Sequence, residues 1–423
     1  MTRRLLDIAG FVALAGLAVG ITVRYGLLGD YEADAAPAFE ALSRGHVQEF
    51  FTSNALMGPF ALLARAPFVL AANVGDTSML DGYRWGAVAC LLASVVLALV
   101  VVRLMRRAGQ PTYACVIAAV LLVANPLVVK ALQFGHPEEM LGAALCTGAM
   151  IAAMGRKGVL AAIMFALALT TKQWALVIVG PMVVAVLVYG LPRLRFAAVL
   201  LITGLAVVGP FFLSDPAGFV DGQERAGSIP VTSWQPASPY SVWYPVTPAK
   251  DVQIRPVDGR SVVRVRPVPP FVAGIAKQLI VISAFLLTVP LLLRRKRLSA
   301  ADPLLFLAFV LLLRCTLDPF DNPYYHLPFL FAFLAWESLS VRGAPFVTLF
   351  VSSAFLLQTR LADVFVAIPD YTTHCVLYLA WSLPLLAFMA VHLYSPALGR
   401  RVWHRFTRAL PGLSRTRAAL AAG

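Results

Sequence analysis

The sequence predicts an all-α polytopic membrane protein of about twelve transmembrane helices, with ten as the lower count. Three observations lead there. Of 423 residues, 60% are hydrophobic and 13% charged, well beyond the roughly 45–50% apolar usage of soluble domains. Apolar stretches recur along the whole chain. Between them stand short basic clusters: Arg3 and Arg4, Arg103 with Arg106 and Arg107, Arg156 and Lys157, Arg193 and Arg195, Arg294 to Arg297, Arg342, and the tail from Arg400 to Arg417. Assigning these clusters to the cytoplasm places 20 of the 35 Lys and Arg inside with 3 of the 21 Asp and Glu, a balance of +17 inside against −3 outside. The net charge of +14 therefore reports topology, with both termini cytoplasmic, and not a nucleic-acid partner.

Reading apolar stretches against basic loops gives spans near 5–28, 85–102, 112–132, 140–154, 158–171, 174–190, 196–213, 271–293, 303–317, 327–340, 344–360 and 375–394. The first resembles a signal peptide, with Ala33-Asp34-Ala35 after it, but its apolar run exceeds the 7–15 residues of a signal core and is read as a span. Counting 55–72 as a span would invert every later basic loop, and Pro59, Arg65 and Pro67 interrupt it. It is expected to form helices lying in the outer interface. The stretches at 140–154 and 158–171 are short against the ~20 residues needed to cross the bilayer, and losing both gives the count of ten.

Four parts follow: a transmembrane module at 1–213 with a first outer loop at 29–84, an extracytoplasmic loop at 214–270, a second transmembrane module at 271–396, and a basic cytoplasmic tail at 397–423. The 214–270 loop is rich in Pro and aromatics. Within it Asp258-Gly259 between β-branched runs is a hairpin signal. Trp234 and Trp243 are expected to border an acceptor entrance, the alternative being an interface belt. Cys90, Cys115, Cys146, Cys315 and Cys375 show neither metal-ligand spacing nor a disulfide framework. No internal repeat is visible.

Ionisable groups beside or within apolar stretches are costly and ask for a reason. Asp30, Glu32 and Asp34 follow the first span, where a carboxylate is placed to take a proton from a sugar hydroxyl; a solvated acidic loop is the plain alternative. Neighbouring carboxylates and partial desolvation are expected to raise the pKa of Asp30. His136-Pro137-Glu138-Glu139 opens a short span: Pro and one carboxylate are ordinary helix-start chemistry, but His136 beside them is not. Lys172 and Gln173, ahead of Trp174, suit either snorkelling to headgroups or a phosphate. Arg314 falls inside a span and needs an anionic partner, Asp318 one turn later or a lipid-linked phosphate; Tyr324, Tyr325 and His326 follow.

This pattern resembles the GT-C superfamily of integral membrane glycosyltransferases. The shared features are an acidic residue just after the first span, interfacial helices before the second, the Gly135-His136-Pro137-Glu138-Glu139 outer loop and the Thr171-Lys172-Gln173 stretch. Within the superfamily the chain is most similar to bacterial polyprenol-phosphate-mannose-type enzymes of family eighty-seven, over residues 1 to about 360. The resemblance implies a catalytic aspartate at Asp30, ahead of Gly45, with Asp34 as fallback. It implies that Lys172, Arg314 and His326 hold the donor phosphate. His136, Glu138, Glu139, Gln173, Asp318, Tyr324 and Tyr325 are expected to orient sugar or acceptor. The expected activity is inverting transfer of mannose or another sugar from a polyprenyl-phosphate donor to a lipid or glycan acceptor, at the outer face of the bacterial cytoplasmic membrane. No cofactor or metal is implied. A secondary transporter or lipid-linked sugar flippase is the alternative; a non-catalytic scaffold leaves Arg314 and the His136 loop unexplained.

Overall fold

The computed structural model describes residues 2–53, 55–72, 78–227, 236–253, 262–364, 371–396 and 398. Each of the twelve apolar stretches is helical: Thr2–Tyr25, Met79–Arg107, Thr112–Gln133, Glu138–Met154, Gly158–Leu169, Gln173–Val188, Arg193–Ser214, Pro270–Leu293, Asp302–Leu317, Leu327–Ser340, Phe346–Val364 and Thr372–Tyr394. The third is broken at Asn125-Pro126. The Asn125 carboxamide oxygen accepts from the N–H groups of Leu127 and Val128 and starts the second half, while Pro126 needs no donor there.

Length and composition make six helices among the described residues able to cross a bilayer: Ile8–Tyr25, Met79–Arg107, Thr112–Gln133, Arg193–Ser214, Pro270–Leu293 and Thr372–Tyr394. They do not by themselves support twelve. Three of the shorter helices have a different reason for being apolar all round. Glu138–Met154, Asp302–Leu317 and Leu327–Ser340 are buried along nearly their whole length and form the centre of the bundle. At 1.5 Å per residue the longest of them reaches only about 25 Å.

Around this centre the long helices turn apolar side chains outward. Leu201, Ile202 and Leu205 on one helix, and Phe285, Leu286 and Val289 on another, are more than half exposed. Only 17% of the Arg193–Ser214 window is buried inside the protein, against 61% of Thr112–Gln133. Such continuous apolar surface is unfavourable in water and matches hydrocarbon, so the protein is membrane-embedded. The helix at Pro59–Ala72 has 14 residues with Pro67 inside it, too short to cross, and it packs on Met79–Arg107.

One end of the bundle is locked by buried polar clamps. Gln110 Nε2 donates to Ser338 O and Val341 O, and its Oε1 accepts from Gly343 N–H at 2.9 Å. Glu337 accepts from the N–H groups of Val347 and Thr348 and so caps the next helix. In the loop beyond Arg193–Ser214, strands Lys250–Gln253 and Val262–Val265 pair antiparallel. A two-residue Asp258-Gly259 turn would set Gln253 opposite Arg264; Gln253 faces Val262 instead. The turn residues lie outside the described residues, as does Trp234.

Candidate functional site

At the other end of the bundle four connecting segments meet. Gly29 and Gly135 both adopt positive φ, +49° and +83°, which an L side chain resists. Each is also pressed against the other's loop: a Cβ on Gly29 would collide with the backbone of Phe134, and one on Gly135 with Leu28 O. Backbone bonds fasten the two loops, Asp30 N–H to Phe134 O at 3.0 Å and Leu27 N–H to Leu132 O at 3.2 Å. Gly58 lies equally close to the Thr170 and Thr171 carbonyls, and Phe60 N–H donates to Thr170 O at 3.0 Å. Thus the segments around Asp30, Met57, His136 and Lys172 are held together by backbone before any side chain is considered.

The side chains then form one connected network. Asp30 Oδ2 lies 3.0 Å from His136 Nε2, and His136 Nδ1 lies 2.9 Å from Glu138 Oε1. Lys172 Nζ reaches Glu138 Oε1 at 2.8 Å and Glu139 Oε1 at 3.5 Å. Trp174 Nε1–H donates to Glu139 Oε2 at 2.9 Å. From the far side Arg65, fully buried, approaches Glu138 Oε2 at 3.8 Å, and its guanidinium lies over the rings of Tyr31, Phe39 and Tyr83. The burial is graded: Glu138 and Glu139 have no exposure, His136 is 7% exposed and Asp30 63%. Asp30 is the point at which the network meets the surroundings.

Three carboxylates here face three basic groups, so the cluster is neutral overall when His136 is protonated. Its environment favours that state. Burial pulls the imidazole down, but hydrogen bonds to Asp30 and Glu138 outweigh it and raise the pKa to about 9. The same bond from His136 outweighs the partial burial of Asp30 and lowers its pKa below the usual value. This corrects the expectation that Asp30 is raised: a donor 106 residues away outweighs burial and the Glu138 charge. Asp34 is the carboxylate that is raised, by burial.

The second wall comes from residues 314–326. The Tyr324 ring stacks on His136, with centroids 5.1 Å apart, and touches Tyr325 edge-on. Arg314 lies over the Tyr325 ring at 4.9 Å and the Trp174 ring at 5.8 Å; Asp318 is its loose partner at 4.0 Å. His326 is not with them. It is fully buried and faces Asp321 at 3.3 Å and the Tyr378 hydroxyl at 2.9 Å. Gln173 points outward to Gln223, and Trp243 Nε1–H donates to Leu317 O, bracing the end of the Arg314 helix.

Of the residues expected from sequence, the structure thus joins Asp30, His136, Glu138, Glu139 and Lys172, and sets Arg314, Asp318, Tyr324 and Tyr325 beside them. Lys172 is committed to two carboxylates. Arg65 joins the site without being one of the expected residues; a charge inside an apolar stretch is the signal that marks it. No family model matches the chain, and no curated protein matches it.

Proposed function

We propose that this protein is an inverting glycosyltransferase of GT-C type with ten to twelve spans, both termini in the cytoplasm and the Asp30 end of the bundle facing outward. It would move a sugar from a polyprenyl-phosphate donor to a lipid or glycan acceptor. The observation that supports this reading is the Asp30–His136–Glu138 relay: an exposed carboxylate, ionised and oriented by a buried imidazole that a second carboxylate holds in place. That is the arrangement a base requires when it must stand in one orientation while its free oxygen meets substrate.

In the proposed step the acceptor oxygen attacks the anomeric carbon from the face opposite the phosphate. Its proton passes to Asp30, the bond from carbon to phosphate oxygen breaks, and the polyprenyl phosphate leaves with the electron pair. Arg314 is the cation for the departing phosphate, since Asp318 neutralises it only loosely. Lys172, balanced by Glu138 and Glu139, acts by positioning them. Tyr324, buried and stacked on His136, holds that imidazole in place, and Tyr325 carries the Arg314 guanidinium over its ring.

Incubating the purified protein in bilayer discs with radiolabelled polyprenyl-phosphate mannose, arabinose and glucose and an envelope-lipid acceptor tests this. One donor is expected to give a labelled product. Movement of a labelled lipid between leaflets with no product would replace the reading by a flippase.

A further inference from the structure

Behind Tyr324 and Tyr325 lies a second polar cluster that transfer chemistry does not use. Cys315, Asp321 and His326 are all buried, and one ligand atom from each falls within 4.8 Å of the other two. Neither oxygen of Asp321 has an N–H or O–H donor among the described residues. A carboxylate held this way, away from water, costs several kcal/mol unless a cation answers it or it takes up a proton.

The hydrogen bonds around His326 bear on its tautomer. The Thr316 hydroxyl donates to Leu312 O at 2.9 Å, so its oxygen is left to accept from Tyr378 OH at 3.1 Å. Tyr378 oxygen then accepts from His326 Nε2–H at 2.9 Å. When Nε2 carries the ring proton, the lone pair is on Nδ1. Nδ1 faces Pro323 O at 3.2 Å and Asp321 Oδ2 at 3.3 Å, and the Cys315 sulfur belongs to the same buried cluster. A histidine whose outer nitrogen is fixed by a hydroxyl and whose inner nitrogen meets a carboxylate and a thiol has the outer-shell pattern of a metal ligand.

We propose that Cys315 Sγ, Asp321 and His326 Nδ1 bind a divalent transition-metal ion of the zinc class. One nitrogen, one sulfur and one oxygen ligand suit zinc, and a thiolate with a carboxylate balances its charge. Cys315-x5-Asp321-x4-His326 follows no familiar ligand spacing. The ion ties the end of helix Asp302–Leu317 to the start of Leu327–Ser340. It thereby holds the intervening loop, with Tyr324 against His136 and Tyr325 over Arg314. The site does not depend on which reaction the Asp30 end performs.

The test is metal binding by the full-length protein in detergent, stripped with chelator and titrated with Zn²⁺ or Co²⁺. One Zn²⁺ per chain is expected, with thiolate-to-cobalt charge-transfer absorption for Co²⁺ and a rise in Tm on adding Zn²⁺. Asp321→Asn and Cys315→Ser should lose all three, and Cys375→Ser should keep them. A chain with Cys315 as its only cysteine should also keep the cobalt absorption, which decides the matter even if single variants fold poorly. Absence of that absorption in the wild-type protein, or its survival in Cys315→Ser, overturns the proposal.

Discussion

Gly29 and Gly135 sit back to back, each in the left-handed region and each so close to the other's loop that a Cβ on either would meet backbone. This contact is what brings Asp30 within 3.0 Å of His136. Gly135→Ala is therefore expected to destabilise the protein by more than about 1 kcal/mol, the cost of positive φ alone for alanine. It should also weaken any activity of the Asp30 end. Gly109→Ala has positive φ but open space around it, and should show the stability loss without the functional one. Thermal unfolding with a transfer assay separates the two.

The Arg65 guanidinium and the Glu138 carboxylate are both fully buried. Arg65→Gln leaves Glu138 still paired with Lys172 and His136 and is expected to cost about 1–3 kcal/mol, the range for an ordinary destabilising substitution at a buried polar site. Arg44 and Glu40 make an ion pair at 3.5 Å on the surface, and Arg44→Gln should cost at most ~1 kcal/mol. Denaturation of the two variants side by side checks the contrast.

Much of this architecture is legible in the sequence because hydrophobic patterning and basic loops are local. All twelve apolar stretches became helices, and Asn125-Pro126 marks its own break. What the sequence hides is which loops meet. The sign of the pKa change at Asp30 depends on His136, and the burial of His326 depends on Tyr378, 52 residues away. The buried centre also explains the span count: helices such as Leu327–Ser340 are apolar because protein surrounds them on every side, a cause that composition cannot separate from contact with lipid.

The His136 imidazole is raised from 6.5 to about 9 in the folded protein. A raised basic group stabilises fully below its unfolded pKa and loses that contribution as pH climbs through the folded value. The stability difference between wild type and His136→Gln should therefore be greatest below about pH 6.5 and shrink up to about pH 9. Tm measured across that window reads it directly. A difference that grows with pH would mean that His136 is neutral in the folded state.

Topology has its own check. Cysteine tags at Glu49 and Asp221 should react from outside the cell and a tag at Arg295 only after permeabilisation. The warrant is the distribution of basic residues and nothing else. Labelling of Arg295 from outside would turn the Asp30 end toward the cytoplasm and remove the outer-leaflet donor.

The most direct measurement is transfer by Asp30→Asn. Asparagine preserves the shape and can still meet His136, but it cannot take a proton. Transfer from the polyprenyl-phosphate sugar is expected to fall by about 10²–10⁴-fold, the range for a lost general base, with donor binding unchanged and Glu32→Gln mild by comparison. Loss with Asp34→Asn instead would move the base by one turn of helix. Full transfer by both Asp30→Asn and Asp34→Asn would contradict the account.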